Sequence, residues 1–164
     1  MGIKGAPPNE EFDKLLAESF GVTDFPADAP PVVDATRHLE LATRLLELGY
    51  LVYVSVVATH YLAQAAGKTG PEQPERIEVA TLLRRPGKGA TLAAWRVVLP
   101  IGEKLDSLVS LYAGADWQER EQYDLVGVEF ANHPDLRRLM MPDDWEGHPL
   151  RKDYAIDTAC LPWR

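Results

Sequence analysis

Apolar residues recur at helical spacing near the amino terminus and at strand spacing through the middle of the chain. Asn9 is placed to cap a first helix: Glu10 and Glu11 fall in its opening turn, Phe12, Leu15, Leu16 and Phe20 share a face, and Gly21 ends it. Residues 22–31 are rich in Pro and Asp and read as an extended connection, with a short edge strand around 31–33. Asp34 then caps the strongest helical pattern, in which Leu41, Leu45 and Leu48 form a stripe that Leu39, Ala42 and Leu46 widen, and Gly49 stops it. On its wet side Glu40 and Arg44 stand at i,i+4.

Residues 50–59 are apolar at nearly every position and rich in Val, which predicts a central strand covered on both faces. Residues 64–75, with Gly67, Gly70, Pro71 and Pro74, read as an exposed loop. Ile77, Val79, Thr81 and Leu83 alternate with Glu78 and Arg84, and Trp95, Val97 and Leu99 oppose Arg96. The Pro86-Gly87-Lys88-Gly89 turn between these runs predicts a hairpin. A short helical piece is expected over 105–111, and Asp116 is expected to cap a helix over 117–126, with Glu119 closing a capping box and Gly127 ending it. The predicted fold class is α+β: a two-layer domain with an antiparallel or mixed sheet, helices packed on one side, and an extended C-terminal segment. Residues 1–116 form the α+β part, and residues 117–164 a helix and docking segment of the same domain.

Length fits one domain, since 164 residues bury roughly 70% of the surface the unfolded chain exposes. The net charge of -8 argues against nucleic acid as a partner, and Arg84-Arg85-Pro86-Gly87-Lys88 reads as a solvated hairpin tip. Cys160 is the only cysteine, which excludes an intramolecular disulfide and a structural Cys-type zinc site. The N-terminus lacks the apolar stretch of a signal peptide and the Ser or Thr of a myristoylation site, so a cytoplasmic location is expected. The longest apolar run, 50–58, is far short of the ~20 residues that span a bilayer. No Gly-rich dinucleotide fingerprint occurs.

The chemistry-bearing residues concentrate in 117–154. Glu121 and Asp124 share a helix face and Arg120 can reach Asp124 at i,i+4, which suits either an acid–base pair or an ion network. The network is favoured, because no nucleophile or oxyanion donor stands nearby in sequence. His133 and His148, with Asp135, Asp143, Asp144 and Glu146, invite a metal reading, but their spacing fits no metal motif and each His precedes Pro, which predicts backbone-bonded turn histidines. His38 and His60 read as surface or core-edge residues. Two segments echo one another: His133-Pro134-Asp135-Leu136-Arg137-Arg138 and His148-Pro149-Leu150-Arg151-Lys152 each place a Leu anchor beside two anion-seeking cations. Trp117, Tyr123, Trp145, Tyr154 and Trp163, with Met140-Met141, add the residue types found at interface centres. The tail, 155–164, has no strong pattern and is expected to need a partner to order it. Together these features indicate a docking surface more than a reaction centre.

Glu119-Arg120-Glu121, Asp124-Leu125-Val126, His133, Arg137, Leu139-Met140 and the continuous run M-P-D-D-W-E-G-H-P-L-R-K-D-Y from Met141 to Tyr154 closely resemble the signature of the 30 kDa subunit family of respiratory complex I, NADH-quinone oxidoreductase. The resemblance implies a peripheral-arm subunit that binds no cofactor itself, within a complex that uses FMN, iron-sulfur clusters, NADH and a quinone. The lone cysteine agrees for clusters, which usually take four thiolates. It further implies packing on the 49 kDa subunit and other peripheral-arm subunits at the cytoplasmic side of the inner membrane, with indirect membrane contact and no turnover by the isolated chain. The interface it implies comprises Trp117, Glu119, Arg120, Glu121, Tyr123, Asp124, His133, Arg137, Arg138, Trp145, His148, Arg151, Lys152 and Tyr154. The equivalent subunit of a membrane-bound hydrogenase or a ferredoxin-plastoquinone oxidoreductase is the alternative. A stand-alone hydrolase using Glu121, Asp124 and His133 is the remote rival.

Overall fold

The computed structural model describes residues 9–66, 72–87 and 91–155. Helix α1, Glu10–Phe20, begins where expected: the Asn9 side-chain oxygen accepts from the Phe12 N–H at 3.2 Å, and its amide donates to the Tyr50 hydroxyl (2.6 Å) and the Leu92 carbonyl (2.7 Å). The cap therefore also fastens the helix to the rest of the fold, while Phe12 and Leu16 are buried and Gly21, at φ 66°, ends it. Asp34 caps not an α-helix but a 3₁₀ turn, Ala35–Arg37, and α2 follows as His38–Glu47. The anticipated Glu40–Arg44 pair is replaced by pairs one residue closer, Arg37–Glu40 (2.9 Å) and Arg44–Glu47 (3.0 Å). The Arg37 fork meets both Glu40 oxygens, a geometry a single i,i+4 contact does not match.

Three antiparallel strands, β1 (Val52–Tyr61), β2 (Arg76–Arg85) and β3 (Thr91–Pro100), lie in the order β1-β2-β3. The predicted hairpin is present, with Val79 opposite Val97 and Thr81 opposite Trp95; Lys88 and Gly89 of its turn lie outside the described residues. Its alternation places Ile77, Val79, Thr81 and Leu83 of β2, with Ala93, Trp95, Val97 and Leu99 of β3, on one buried face. That face shares one core with Leu16, Leu41, Leu45, Tyr50 and Val56.

The expectation of a central, doubly covered β1 is corrected. β2 takes the centre, β1 lies at the sheet edge, and of its Val residues Val54 and Val57 are exposed while Val56 is buried. A run apolar at every position says nothing about which strand has two neighbours.

Both sheet edges are partly covered. At β3, the Val33 N–H donates to the Arg96 carbonyl and the Arg96 N–H to the Pro31 carbonyl, each at 2.9 Å, so the short strand foreseen around 31–33 amounts to one parallel bridge at Val32. At β1, two glutamine side chains of a later helix accept from the strand's N–H groups, as described below.

The piece expected to be helical from 105 contains a strand instead. β4, Lys104–Asp106, pairs in parallel with β5, Glu129–Ala131, with Leu105 opposite Phe130, and a turn at Leu108 follows. Burial of Leu105 and Phe130 in this long-range pairing outweighs the weak local preference for helix. Of the loop at 64–75, Gln64 and Gln73 form an antiparallel bridge, and Gly67, Gly70 and Pro71 lie outside the described residues.

Helix α3 runs from Ala115 to Val126. Gly114 precedes it without a side-chain cap, so Asp116 sits inside the first turn and Glu119 closes no capping box. Gly127, at φ 85°, ends it as expected. Among the described residues no helix is long and apolar enough to cross a membrane.

Candidate functional site

Helix α3 is polar along most of its length, yet its buried positions include Glu119, Arg120 and Asp124. Charges taken out of water need partners, and each of these has them. On the sheet side, Gln118 and Gln122, one turn apart, accept hydrogen bonds from the Val56 N–H (3.0 Å) and the Ala58 N–H (2.9 Å). Two amide side chains thus stand in for the missing strand beside β1.

Asp124 is the centre of the opposite side. One oxygen accepts from the Leu139, Met140 and Met141 N–H groups at 3.0, 2.6 and 2.8 Å, and the other from the Arg138 guanidinium at 2.6 Å. Burial alone would raise its pKa, but the Met141, Arg138, Met140 and Leu139 bonds together outweigh it and hold the carboxyl at about 2. Arg138 extends the clamp by donating to the Trp145 carbonyl (2.8 Å) and the Gly147 carbonyl (3.1 Å). The Leu150 N–H returns to the Leu125 carbonyl at 2.8 Å. Residues 138–150 are therefore wound back onto the last turn of α3.

His148 completes this closure. Its Nδ1 donates to the Asp124 carbonyl at 2.9 Å and its ring lies edge-on to Tyr123, 6.3 Å between centroids. The ring also lies against Gly127: a Cβ there would sit 2.7 Å from His148 Cδ2, so the position is glycine both for its φ and for its space. Gly147 has the same pair of reasons, at φ 81° and with the Tyr154 ring 2.9 Å from where a Cβ would stand.

At the start of α3, Glu119 accepts from the Leu108 N–H (2.8 Å) and the Ser107 hydroxyl (2.6 Å). Burial pushes its carboxyl up to about 7 against the lowering effect of those two bonds, with the nearby Asp116 charge adding to the rise. Arg120 donates to the Arg137 and Arg138 carbonyls, and its guanidinium lies 5.5 Å from the Trp117 ring centroid. It does not pair with Asp124; its nearest carboxylate is that of Asp135, at 3.8 Å. His133 is a turn histidine as anticipated, Nδ1 accepting from the Asp135 N–H (3.1 Å) while Nε2 faces the Asp116 carbonyl (3.3 Å).

The end of the described chain latches onto the sheet. Buried His60 of β1 accepts the Lys152 N–H at Nδ1 (2.9 Å), which leaves the proton on Nε2 for Glu75 (2.8 Å). Arg151 grips both Asp153 oxygens at 2.8 Å and reaches Glu75 at 3.3 Å, and its hydrogen bonds hold the Asp153 carboxyl at about 2. His60, Glu75 and Asp153 bring donor atoms within 4.8 Å of one another, close enough for a metal ion. Both imidazole nitrogens already have partners and the Arg151 charge lies against both carboxylates, so the cluster is built as a latch and not as a cation cage.

The structure thus separates the sequence candidates. Glu119, Arg120, Asp124, His133, Arg138, His148 and Arg151 make side-chain hydrogen bonds within the chain, Tyr123 and Tyr154 are half-buried beside His148 and Gly147, and Trp117, Glu121, Arg137, Trp145 and Lys152 face outward. Glu121 and Asp124 do not form an acid–base pair: one is in solvent and the other is held ionised by four donors. Gln118, Gln122, Ser107 and Glu75 carry no signal of these roles in the sequence. The i,i+4 spacing of the glutamines marks a face, but nothing in the sequence says that a bare strand edge lies opposite.

Residues 31–159 match the family described as respiratory-chain NADH dehydrogenase, 30 kDa subunit. Similar proteins include an NADH-quinone oxidoreductase subunit of Geobacter metallireducens, 37% identical over 88% of this chain and 85% of that protein. Its namesake in Geotalea uraniireducens is 40% identical over 88% and 83% of the two chains. Among solved structures, a trypsin-resistant fragment of Nqo5 superposes with a TM-score of 0.62 at 24% identity, covering 77% of this chain and 97% of that one, a likeness of fold.

Proposed function

Because the chain belongs to the 30 kDa subunit family of respiratory-chain NADH dehydrogenase, we propose that it serves as a peripheral-arm subunit of an NADH:quinone oxidoreductase, docks on the 49 kDa subunit, and binds no redox cofactor of its own. Its contribution to electron transfer from NADH to quinone is then to hold neighbouring subunits in register, on the cytoplasmic side of the membrane. The observation that carries this reading is the Asp124 clamp. Within the most charged segment of the chain, Asp124, Arg138 and His148 turn inward to fix the shape of residues 138–150, which suits recognition and leaves none of the three placed as a reacting pair.

Two measurements test it. Co-purification of a tagged copy from its own cells should yield the 49 kDa homologue in fixed ratio, and the isolated chain should show no flavin or cluster absorption and no NADH oxidation. A purified monomer carrying a redox centre, or turning substrate over alone, would overturn the proposal.

A further inference from the structure

We infer that the loop at residues 140–150 is an acidic, apolar docking ridge whose occupant is a basic surface with apolar side chains on a neighbouring subunit. This rests on the subunit reading above and goes further by giving the partner-facing surface a sign. By sequence alone the echoed cation pairs mark this region as anion-seeking. In the folded chain Arg138 is bound to Asp124, Trp145 and Gly147, and Arg151 to Asp153 and Glu75. Arg137 is paired with Asp135 at 2.9 Å. Lys152 faces water two residues beyond the loop, and within the loop the charges facing water are Asp143, Asp144 and Glu146, all exposed and without a cationic partner among the described residues.

These three carboxylates flank Trp145, and Met140 and Leu150 stand at the ends of the same loop. The three apolar side chains are 40%, 65% and 61% exposed, respectively. A single exposed apolar residue is ordinary, whereas three on one eleven-residue loop exceed what scattered exposure gives. The loop is also held in shape. Arg138 binds the Trp145 and Gly147 carbonyls, the Trp145 N–H bonds to the Pro142 carbonyl, Gly147 is fitted under Tyr154, and Leu150 is tied to α3. A Trp presented on fixed backbone loses little freedom on binding, as an interface anchor should.

The charge decides the occupant. Three exposed carboxylates around an anchor repel an anionic bilayer and an acidic protein face, and attract Lys and Arg. The chain as a whole, at -8, adds to that field.

The test uses the complex depleted of this subunit and rebound with purified full-length chains at about 50 mM and about 300 mM salt. Asp143→Lys/Asp144→Lys/Glu146→Lys should rebind at least about thirtyfold more weakly than wild type at low salt, with the difference shrinking at high salt. The neutral counterpart, Asp143→Asn/Asp144→Asn/Glu146→Gln, should fall between the two. Trp145→Ala should lose about tenfold at both salts, as an apolar anchor does. All substituted side chains are exposed, and an unchanged thermal midpoint checks that the variants fold. Rebinding of the Lys variant within twofold of wild type at low salt, or tighter than wild type, would overturn the inference and leave the subunit reading standing. Failure of the wild-type chain to rebind would overturn both.

Discussion

Replacing Asp124 with Asn tests the clamp directly, because it keeps the shape and removes the charge. The carboxyl is held at about 2 against an ordinary 3.8, which at about 1.4 kcal/mol per pH unit corresponds to about 2.5 kcal/mol of stability at neutral pH. The Arg138 side chain paired with it reaches the surface, so screening reduces this toward about 1–2 kcal/mol. The substitution does further harm. Its amide has one acceptor for groups that now use both oxygens, so either the Arg138 guanidinium or the three backbone N–H groups meet a donor. A loss of about 2–4 kcal/mol is therefore expected, read as a lower urea midpoint at constant slope. Amide exchange at 139–141 should accelerate in the variant. The acid limb supplies an independent sign: a depressed carboxyl stabilises above its unfolded value and loses that contribution as pH falls toward 2, so wild type should lose stability below about pH 5 by a margin the variant lacks. An unchanged urea midpoint together with unchanged protection at 139–141 would refute the argument.

Glu119 and His38 should act against each other with pH. Burial raises Glu119 to about 7, so its contribution is full below 4.5 and lost as pH rises through 7; burial lowers His38 to about 4, so its contribution is full above 6.5 and lost on acidification toward 4. Each amounts to about 3 kcal/mol, and Glu119→Gln should therefore stabilise the chain at pH 8 and expose a decline of about 2–3 kcal/mol between pH 6.5 and 4.5, measured by urea titration at each pH. Gly127→Ala should cost about 2 kcal/mol or more, because the new Cβ requires both a left-handed backbone and displacement of the His148 ring; a thermal midpoint within a degree of wild type would contradict this. Gln122→Ala should leave the Ala58 N–H without its partner, at about 1 kcal/mol, seen as faster amide exchange at Ala58 with little change at Val79 in the central strand.

Elements whose signals are local were legible in the sequence. Asn9 with Gly21 bounded α1, Gly127 ended α3, and alternation gave the buried face of the hairpin residue by residue. Long-range choices were not. Val57 reads like a core residue until β2 takes the central place, and Leu105 reads as helical until Phe130 offers a parallel partner. Within the signature run, the residue types announced a network and the turn histidines behaved as their Pro neighbours required. The pairing was hidden: Asp124 chose Arg138, fourteen positions away, over Arg120 on its own helix, since only folding of the loop brings backbone donors and a guanidinium to the same oxygen pair. His38 also hid its role, as a buried acceptor for the Trp95 indole at 3.0 Å.

The glutamine side chains lying along β1 bear on the life of the chain before it meets any neighbour. A bare outer strand would recruit the same strand of another newly made copy, and such pairing grows into insoluble chains of subunits. With Gln118 and Gln122 holding the Val56 and Ala58 N–H groups from within, an orphan copy offers only an interrupted ladder there, which lowers its tendency to polymerise while it waits for its place in a larger assembly.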